Sequence, residues 1–318
     1  MQALFLENNQ LTYRDNIPKP SQRNDEALVR VHIAGICSTD LELIKGYYPY
    51  TGILGHEFVG EIVETTEAPE RIGERVVGEI NVACGACNSC LRGQITHCER
   101  RTVLGIVNRD GAFAEYLRLP LKNLITVPAS ISDELAVFTE PLAAALEIQE
   151  QITIRPTDSV LVVGAGRLGQ LIAQTLVLTG CYLQVVARYD KQRQLLAARQ
   201  IAWIDEKAVR KRAYDIVIEA TGSVGGFTLA RHAVRPRGTI VLKSTFKGNL
   251  SVNFSALVVD EITLVGSRCG PFAPALRLLE NRLIDPISLV DGRFPFDKAL
   301  EAFEHVQQPG ALKVLLFF

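Results

Sequence analysis

The sequence predicts an α/β protein with two domains, a β-rich domain and a doubly wound parallel sheet, and three observations support this. The chain has 318 residues, enough for about two hydrophobic cores. Before residue 140, short alternating runs are broken by Gly and Pro, which is typical of an all-β domain. After it, apolar strands alternate with helical stretches, which is typical of a parallel sheet. We expect residues 1–139 and 272–318 to form the β-rich domain and residues 140–271 to form the other.

The composition excludes several classes of protein. The 34 Lys and Arg residues against 35 Asp and Glu give a net charge of −1, so no basic field exists to hold nucleic acid or an anionic membrane. The hydrophobic share of 47% is typical of a folded chain. No apolar run approaches the ~20 residues of a membrane span, and the first ten residues lack the pattern of a secretory signal. We therefore expect a cytoplasmic protein without nucleic-acid or membrane partners.

The β-rich domain is predicted from alternating runs at residues 28–33, 59–63 and 75–78. An amphipathic helix near residues 273–281 and a last strand at residues 313–318 follow the second domain. We expect this tail to return to the first domain.

Five short apolar strands predict the second domain, and the stretches between them favour helices. Such alternation implies right-handed crossovers and helices on both faces, a Rossmann-type arrangement. The predicted strands are residues 160–163, 183–187, 215–219, 239–242 and 262–265.

A glycine-rich segment, GAGRLG, follows the first of these strands and opens a helix. Gly164 permits a tight turn, Gly166 lets backbone amides approach a pyrophosphate, and Gly169 lets the helix close on the strand. Arg167 and Leu168 begin the helix, whose N-terminus would face the anion. The segment predicts a dinucleotide site, and glycines that only form a turn are the alternative.

The end of the second strand predicts which dinucleotide is preferred. An acidic residue usually binds the ribose there, but this sequence has Arg188. Its guanidinium could pair with a 2′-phosphate, with help from Lys191 or Arg193, which favours NADP over NAD. The alternative is a solvated charge cluster with Asp190 on the ribose. Thr221, after the strand at 215–219, is a further candidate cofactor contact.

Four of the seven cysteines lie close together in the sequence, with C-x2-C-x2-C-x7-C spacing. Such a loop can wrap one ion with four thiolates, the closed geometry of structural zinc. A chance cluster or two disulfides is the alternative. The predicted ligands are Cys84, Cys87, Cys90 and Cys98.

A second set of metal-binding residue types lies in the first domain and at its end. Cys37 and His56 suit zinc, and Glu57 or Glu140 could supply an oxygen. Three protein ligands would leave one position open for substrate. Taken singly, these residues could equally be a core cysteine, a loop histidine and a helix N-terminal carboxylate.

The joint order of these motifs resembles the zinc-dependent medium-chain dehydrogenase/reductase family over nearly the whole chain. The matching segments are GICSTD at 35–40, GHEFVG at 55–60, EPL at 140–142, the four cysteines and GAGRLG. The resemblance implies a GroES-like catalytic domain, a Rossmann domain and an active site between them. It also implies a homodimer or homotetramer joined through Rossmann strands near residues 262–265.

The resemblance implies a role for each residue of the second set. Cys37 and His56 match catalytic zinc ligands, and Glu140 matches the third ligand of the branch similar to sorbitol, threonine and glucose dehydrogenases. Glu57 matches a glutamate beside the metal that can approach it. This branch favours polyols, sugars or other hydroxylated alcohols as substrates, with the carbonyl compound as product.

Proton transfer is implied in the same way. Thr39 matches the hydroxyl that receives the substrate proton, and zinc makes that proton more acidic. Glu42 stands where several family members have a histidine that passes the proton to solvent. The substrate pocket is expected to be formed by residues around Tyr47, Tyr48 and Tyr50, by Phe113 and by residues 268–270.

Two other functions remain open at this point. One is a zinc-free quinone or enone reductase, although such enzymes lack the proposed ligand set. The other is a non-catalytic binding or redox-sensing protein that uses the four cysteines as a thiol switch.

Overall fold

The computed structural model describes residues 1–21, 23–245 and 247–318. It confirms the predicted fold class, a β-rich region beside a parallel sheet with helices. The strands of the β-rich region are β1 (Ala3–Glu7), β2 (Gln10–Arg14), β3 (Glu26–Ile36), β4 (Gly52–Ile53), β5 (Glu57–Glu64), β6 (Arg75–Gly78), β7 (Asn81–Val82), β8 (Thr102–Val103), β9 (Tyr116–Pro120), β10 (Leu124–Thr126), β17 (Val290–Pro295) and β18 (Lys313–Phe317).

The strands of the parallel sheet are β11 (Ser159–Val163), β12 (Tyr182–Val186), β13 (Trp203–Ile204), β14 (Tyr214–Glu219), β15 (Val234–Leu242) and β16 (Thr263–Gly266). The α-helices are α1 (Ser38–Ile44), α2 (Asn88–Leu91), α3 (Asp133–Ala136), α4 (Thr139–Gln151), α5 (Arg167–Val177), α6 (Asp190–Ala198), α7 (Val224–Ala233), α8 (Phe254–Val259), α9 (Phe272–Glu280) and α10 (Ala299–Val306).

A seven-stranded sheet forms the centre of the β-rich region. Its order is β10-β6-β5-β3-β18-β17, and β9 also pairs with β3. The last strand, β18, runs antiparallel to β3, with Val314 opposite Ile36. The last strand therefore returns to the first region of the chain, as predicted, whereas the helix at the start of the tail, α9, packs against α4 instead.

The second sheet has the order β13-β12-β11-β14-β15-β16, and each neighbouring pair is parallel. Two apolar clusters cover its two faces, one shared with α4, α5 and α9 and the other with α7. A third cluster fills the β-rich region. The order reverses beside β11, and ligands bind at the carboxyl edge of such a switch point.

The limits of the two domains stay a prediction, although α4 and α9 begin at Thr139 and Phe272, next to the proposed boundaries. Among the described residues, no helix combines the length and the apolar character needed to cross a bilayer.

Candidate active site and metal centres

One cleft of about 2390 Å³ is lined by residues of both regions. It brings most of the predicted site residues together, while Gly169 and the four clustered cysteines lie outside its wall. The predicted residues in the wall are Cys37, Thr39, Glu42, His56, Glu57, Glu140, Gly164, Gly166, Arg167, Leu168, Arg188, Arg193 and Thr221.

The pairing of β3 with β5 positions the candidate metal ligands. Gly35 lies opposite Glu57 in this register, so the end of β3 and the start of β5 are adjacent. Cys37 directly follows β3 and caps α1. Gly55 has a φ of +97°, and any Cβ there would lie 2.6 Å from the ring of Phe113. This turn positions His56 next to the other candidate metal ligands.

The donor atoms of Cys37, His56 and Glu57 all lie within 4.8 Å of one another. Asp40 is fully buried, and its Oδ1 lies 3.3 Å from His56 Nδ1. A carboxylate behind Nδ1 leaves Nε2 to face a metal, as in many metal-binding histidines. Glu140 lines the same cleft but lies outside this close set.

Glu57 already has a protein partner. Lys313 Nζ donates a hydrogen bond to Glu57 Oε2 and another, of 3.4 Å, to the Ile36 carbonyl. The side chains of both members of the pair are almost wholly buried, at 3% and 1% exposed. Gly35 makes room for this carboxylate, because a Cβ there would lie 2.4 Å from Glu57 Oε2.

The charges of this centre suit a bound cation. Burial lowers the pKa of His56, but the charges of Asp40 and Cys37 outweigh it and raise that pKa well above its ordinary value. Loss of hydration raises the pKa of Glu140 to about 7; His56 opposes the rise and Glu57 adds to it. Crowded acidic groups around a buried imidazole would be stabilised by a divalent cation. The residues present therefore fit a catalytic zinc ion.

The predicted proton carriers are separated in their contacts. Thr39 Oγ1 lies 3.8 Å from Cys37 Sγ, at the metal centre. Glu42 instead accepts a 2.8 Å hydrogen bond from Lys45 Nζ and a 3.2 Å bond from the Lys247 backbone N–H. Both oxygens of Glu42 thus have partners near the mouth of the cleft.

The four-cysteine segment forms a compact group of free thiols. Four of its sulfur pairs are separated by 3.5, 3.5, 3.8 and 4.0 Å. A tetrahedron with metal–sulfur distances of about 2.3 Å has edges of about 3.8 Å, so the group fits structural zinc. A backbone bond from Ala86 lowers the pKa of Cys84 to about 6, whereas loss of hydration raises the pKa of Cys90 to about 11.

The glycine-rich segment has the geometry of a phosphate loop. Gly164 has a φ of +109°, and a Cβ at Gly169 would lie 1.9 Å from the Gly164 carbonyl oxygen. A Cβ at Gly166 would meet no atom within 4 Å, so space remains before the first turn of α5. Arg167 reaches across the cleft and donates a 2.7 Å bond to Ser38 Oγ.

The end of β12 places Arg188 in the cleft with a side chain 75% exposed, its Nη2 3.6 Å from a Glu206 carboxylate oxygen. Arg193 is more constrained, because it binds the Ala187 carbonyl at 3.2 Å and pairs with Asp205. The side chain of Asp190 is 86% exposed.

The loop after β14 is held by a buried carboxylate. Glu219 Oε1 accepts bonds from the Thr221 backbone at 2.7 Å and from the Thr221 hydroxyl at 2.5 Å. Its other oxygen accepts a bond from Ser244. Thr221 is therefore fixed in the wall of the cleft.

Two pocket predictions from the sequence are wrong. Phe113 is fully buried and packs edge-on against Phe303 in the core. The Tyr50 hydroxyl contacts the Ile53 and Arg109 carbonyl oxygens, outside the cleft wall, whereas Tyr47 and Tyr48 line the cleft. Both aromatic rings complete the β-rich core, which motif spacing does not reveal.

Sequence reasoning also missed several polar residues of the cleft region. Asp40 and Lys313 contact His56 and Glu57, and Lys243 lines the cleft at the end of β15. Asp40 had one available signal, since an acidic residue three positions after a helix cap often binds the cap backbone. No sequence signal indicated the role of Lys313, because its partner Glu57 is 256 residues away.

A phosphate loop at the switch point and a Cys/His/Glu cluster in the same cleft are features of metal-assisted, nicotinamide-dependent dehydrogenases. The comparisons with known proteins agree. Residues 23–129 match the alcohol dehydrogenase GroES-like domain. An L-galactonate-5-dehydrogenase of Escherichia coli K12 is 31% identical over 307 residues, 91% of this chain and 89% of its own.

Two solved structures share the whole fold. An alcohol dehydrogenase from Escherichia coli CFT073 in complex with NADH is 30% identical, covers 100% of this chain and 99% of its own, and has a TM-score of 0.88. A zinc-binding dehydrogenase from Sinorhizobium meliloti 1021 bound to NADP is 27% identical with the same coverage and a TM-score of 0.90. The chain belongs to the zinc-type medium-chain dehydrogenase family and is an oxidoreductase.

Proposed function

We propose that this enzyme transfers hydride between an alcohol and NADP(H), with polyols or sugar-like compounds as substrates. The observation that supports this best is the convergence of Cys37, His56 and Glu57 within 4.8 Å, in the same cleft as the phosphate loop. The proposed reaction removes a proton and a hydride from the alcohol. It yields an aldehyde or ketone and reduced cofactor.

Cys37 and His56 would hold the catalytic zinc, together with Glu140 or Glu57. Bound zinc would act as a Lewis acid that acidifies the alcohol or polarises the carbonyl. Asp40 Oδ1 lies 3.3 Å from His56 Nδ1, where a carboxylate would orient the ring of a metal-binding histidine. Glu140 enters from the first turn of α4.

Thr39 would receive the substrate proton, because its hydroxyl lies beside Cys37 in the cleft. Glu42 could pass the proton on to solvent. Each of its oxygens accepts one hydrogen bond, from Lys45 or from the Lys247 backbone, and keeps a further lone pair for a proton.

The proposed preference for NADP rests on Arg188. Its exposed guanidinium in the cleft can pair with a 2′-phosphate, whereas Asp190 lies outside the cleft wall. Arg193 supports the neighbouring loop through its bonds to Ala187 and Asp205. The related structures contain either NADP or NADH, so the residue itself carries this part of the proposal.

The four cysteines would hold a structural zinc ion. A homodimer or homotetramer is proposed from the edge of the parallel sheet, where β16 lacks a second neighbour among the described strands. The adjoining helix α8 exposes Phe254, Val258 and Val259 by 70%, 74% and 81%. An open edge beside exposed apolar side chains favours association.

Purified enzyme should contain about two zinc ions per chain and oxidise polyols with NADP faster than with NAD. Metal analysis and nicotinamide absorbance measure both. One charge-assisted bond corresponds to about ten- to a hundredfold in affinity, so Arg188→Asp should erase or invert the ratio of kcat/KM for the two cofactors. If the wild-type ratio favours NAD, the contact with the ribose would instead be assigned to Asp190. Zinc-loaded protein without turnover of any alcohol would contradict the function.

A further inference from the structure

Three cations line one end of the cleft without an ion pair to any carboxylate of the described residues. Lys243 follows β15, Arg268 follows β16, and Arg101 follows the last cysteine of the four-cysteine segment. We call this the cationic end of the cleft. It lies across the parallel sheet from β12, where Arg188 is found.

Lys243 is the most unusual of the three because only 8% of its surface is exposed. Its Nζ donates to the Ser267 hydroxyl at 3.1 Å and to the Arg268 carbonyl at 2.7 Å. Both acceptors are neutral, and an ammonium group has three donors. A buried ammonium without a counter-ion is unfavourable unless a ligand completes it.

The two arginines are held in the same way. Arg268 donates to the Thr96 carbonyl at 2.5 Å and to Asn81 Oδ1 at 3.4 Å. Arg101 donates to the Cys98 carbonyl at 3.5 Å, and its Nε is buried with no partner among the described residues. These neutral contacts orient both guanidinium groups and leave donors free.

The carboxylates of the cleft do not neutralise these cations. Glu42 pairs with Lys45, and Glu57 pairs with Lys313. Burial lowers the pKa of Lys243 to about 8, opposed by the charges of Cys269, Glu140 and Glu147. Glu140 is therefore near Lys243. In the proposed function, however, the Glu140 carboxylate is a ligand of the metal and does not neutralise Lys243.

We propose that Lys243, Arg268 and Arg101 bind an anionic group of the substrate, so that the enzyme acts on hydroxylated compounds carrying a carboxylate or a phosphate. The inference rests on the proposed function, since it places this group in the same cleft as the Cys37 and His56 centre. The metal centre would hold the reacting hydroxyl while the cationic end holds the anion. This arrangement would select both the substrate class and the end of the molecule that reacts.

The first test compares substrates that share a carbon chain: D-gluconate and D-sorbitol 6-phosphate against D-sorbitol, and D-galactonate against galactitol. We expect kcat/KM about ten- to a hundredfold higher for an anionic member, as a charge-assisted bond provides. The better of the acid and the phosphate identifies the anion. Equal or faster turnover of the neutral polyols overturns the inference.

Variants then locate the binding group. Lys243→Met should raise KM for the anionic substrate about tenfold while leaving KM for the neutral polyol unchanged, and Lys243→Arg should retain most of the preference. Lys122→Met is the matched control, because this exposed lysine also donates to a carbonyl, that of Ala83, but outside the cleft wall. An equal loss for anionic and neutral substrates, or weaker binding of reduced cofactor, would overturn the assignment.

A binding measurement separates this inference from the proposed function. Calorimetric titration of gluconate and sorbitol 6-phosphate into cofactor-saturated protein needs no turnover. Anion binding that weakens in Lys243→Met without any dehydrogenase activity would retain the cationic site and refute the function. Turnover of neutral polyols without measurable binding of either anion would support the proposed function and refute the cationic site.

Discussion

The two candidate metal centres differ in how the chain builds them. The four cysteines come from 15 consecutive residues, 84–98, and their partners are one another, nearby backbone N–H groups and the adjacent Arg100 side chain. The centre at Cys37 combines donors from β5 and the ends of β3 and α4, and charged side chains surround it. One is local and closed, whereas the other is assembled and open to a cleft.

This difference indicates which part of the protein each centre depends on. A local thiolate group can form wherever its loop folds, so its loss should affect that loop and the stability of the molecule. An assembled centre depends on partners from other parts of the chain, such as Asp40 and Lys313, so its loss should lower the rate of hydride transfer. The predictions below test this division.

The largest effect is expected from Cys37→Ala or His56→Ala. Lewis-acid stabilisation contributes several kcal/mol, so kcat should fall on the order of a thousandfold or more. Binding of reduced cofactor, followed by fluorescence, should persist because the phosphate loop is untouched. Near-normal turnover in either variant would remove these residues from the metal site.

Lys313→Met tests whether the assembled centre depends on its counter-charge. The change leaves Glu57 buried without its ion-pair partner, which typically lowers the free energy of unfolding by about 3–5 kcal/mol. Denaturant unfolding measures the loss, and the double variant Lys313→Met/Glu57→Gln should recover much of it. If the double variant is as unstable as Lys313→Met, the pair is not the cause.

Cys87→Ser tests the local centre. We expect the zinc content to fall by about one ion per chain and the melting temperature to fall by at least about 4 °C, roughly 1–2 kcal/mol. The kcat of the folded enzyme should change little. A selective loss of hydride transfer at unchanged stability would reverse the assigned roles of the two centres.

The smallest effect concerns the thiols of zinc-depleted protein. Because the pKa of Cys84 is lowered to about 6, its thiolate predominates at pH 7 and is lost as the pH falls through 6. The pKa of Cys90 is raised to about 11, so it stays a thiol at neutral pH. Iodoacetamide should therefore modify Cys84 before Cys90, as peptide mass spectrometry would show. Equal rates at pH 7 would contradict these opposite shifts.

Local patterns predicted the fold class and the motifs. The alternation of apolar strands with helices, and the glycines at 164, 166 and 169, are read within short windows. The four cysteines are equally local. Each of these features is specified by neighbours in the chain, which is why sequence reasoning reaches it.

Long-range partners were beyond such reasoning. The contact of Lys313 with Glu57, the carboxylate of Asp40 behind His56 and the burial of Lys243 all depend on tertiary packing. Phe113 was expected in the substrate pocket but lies in the hydrophobic core, which is also a result of tertiary packing. The periodicity of apolar residues in the sequence does not show whether a side chain will lie in the core or in the pocket.

The place of β18 also affects how the protein is made. Glu57 gains its partner only when Lys313, 256 residues later, has left the ribosome. At ~5–20 residues per second, that interval is roughly 13–51 s. Until then β9 can pair with residues 26–30 of β3, but residues 33–36 have an open edge and Glu57 is an unpaired carboxylate near Cys37 and His56. The parallel sheet can fold in the interval, so the candidate metal centre at Cys37 is completed last, and the growing chain is vulnerable to aggregation at β3 for most of its synthesis.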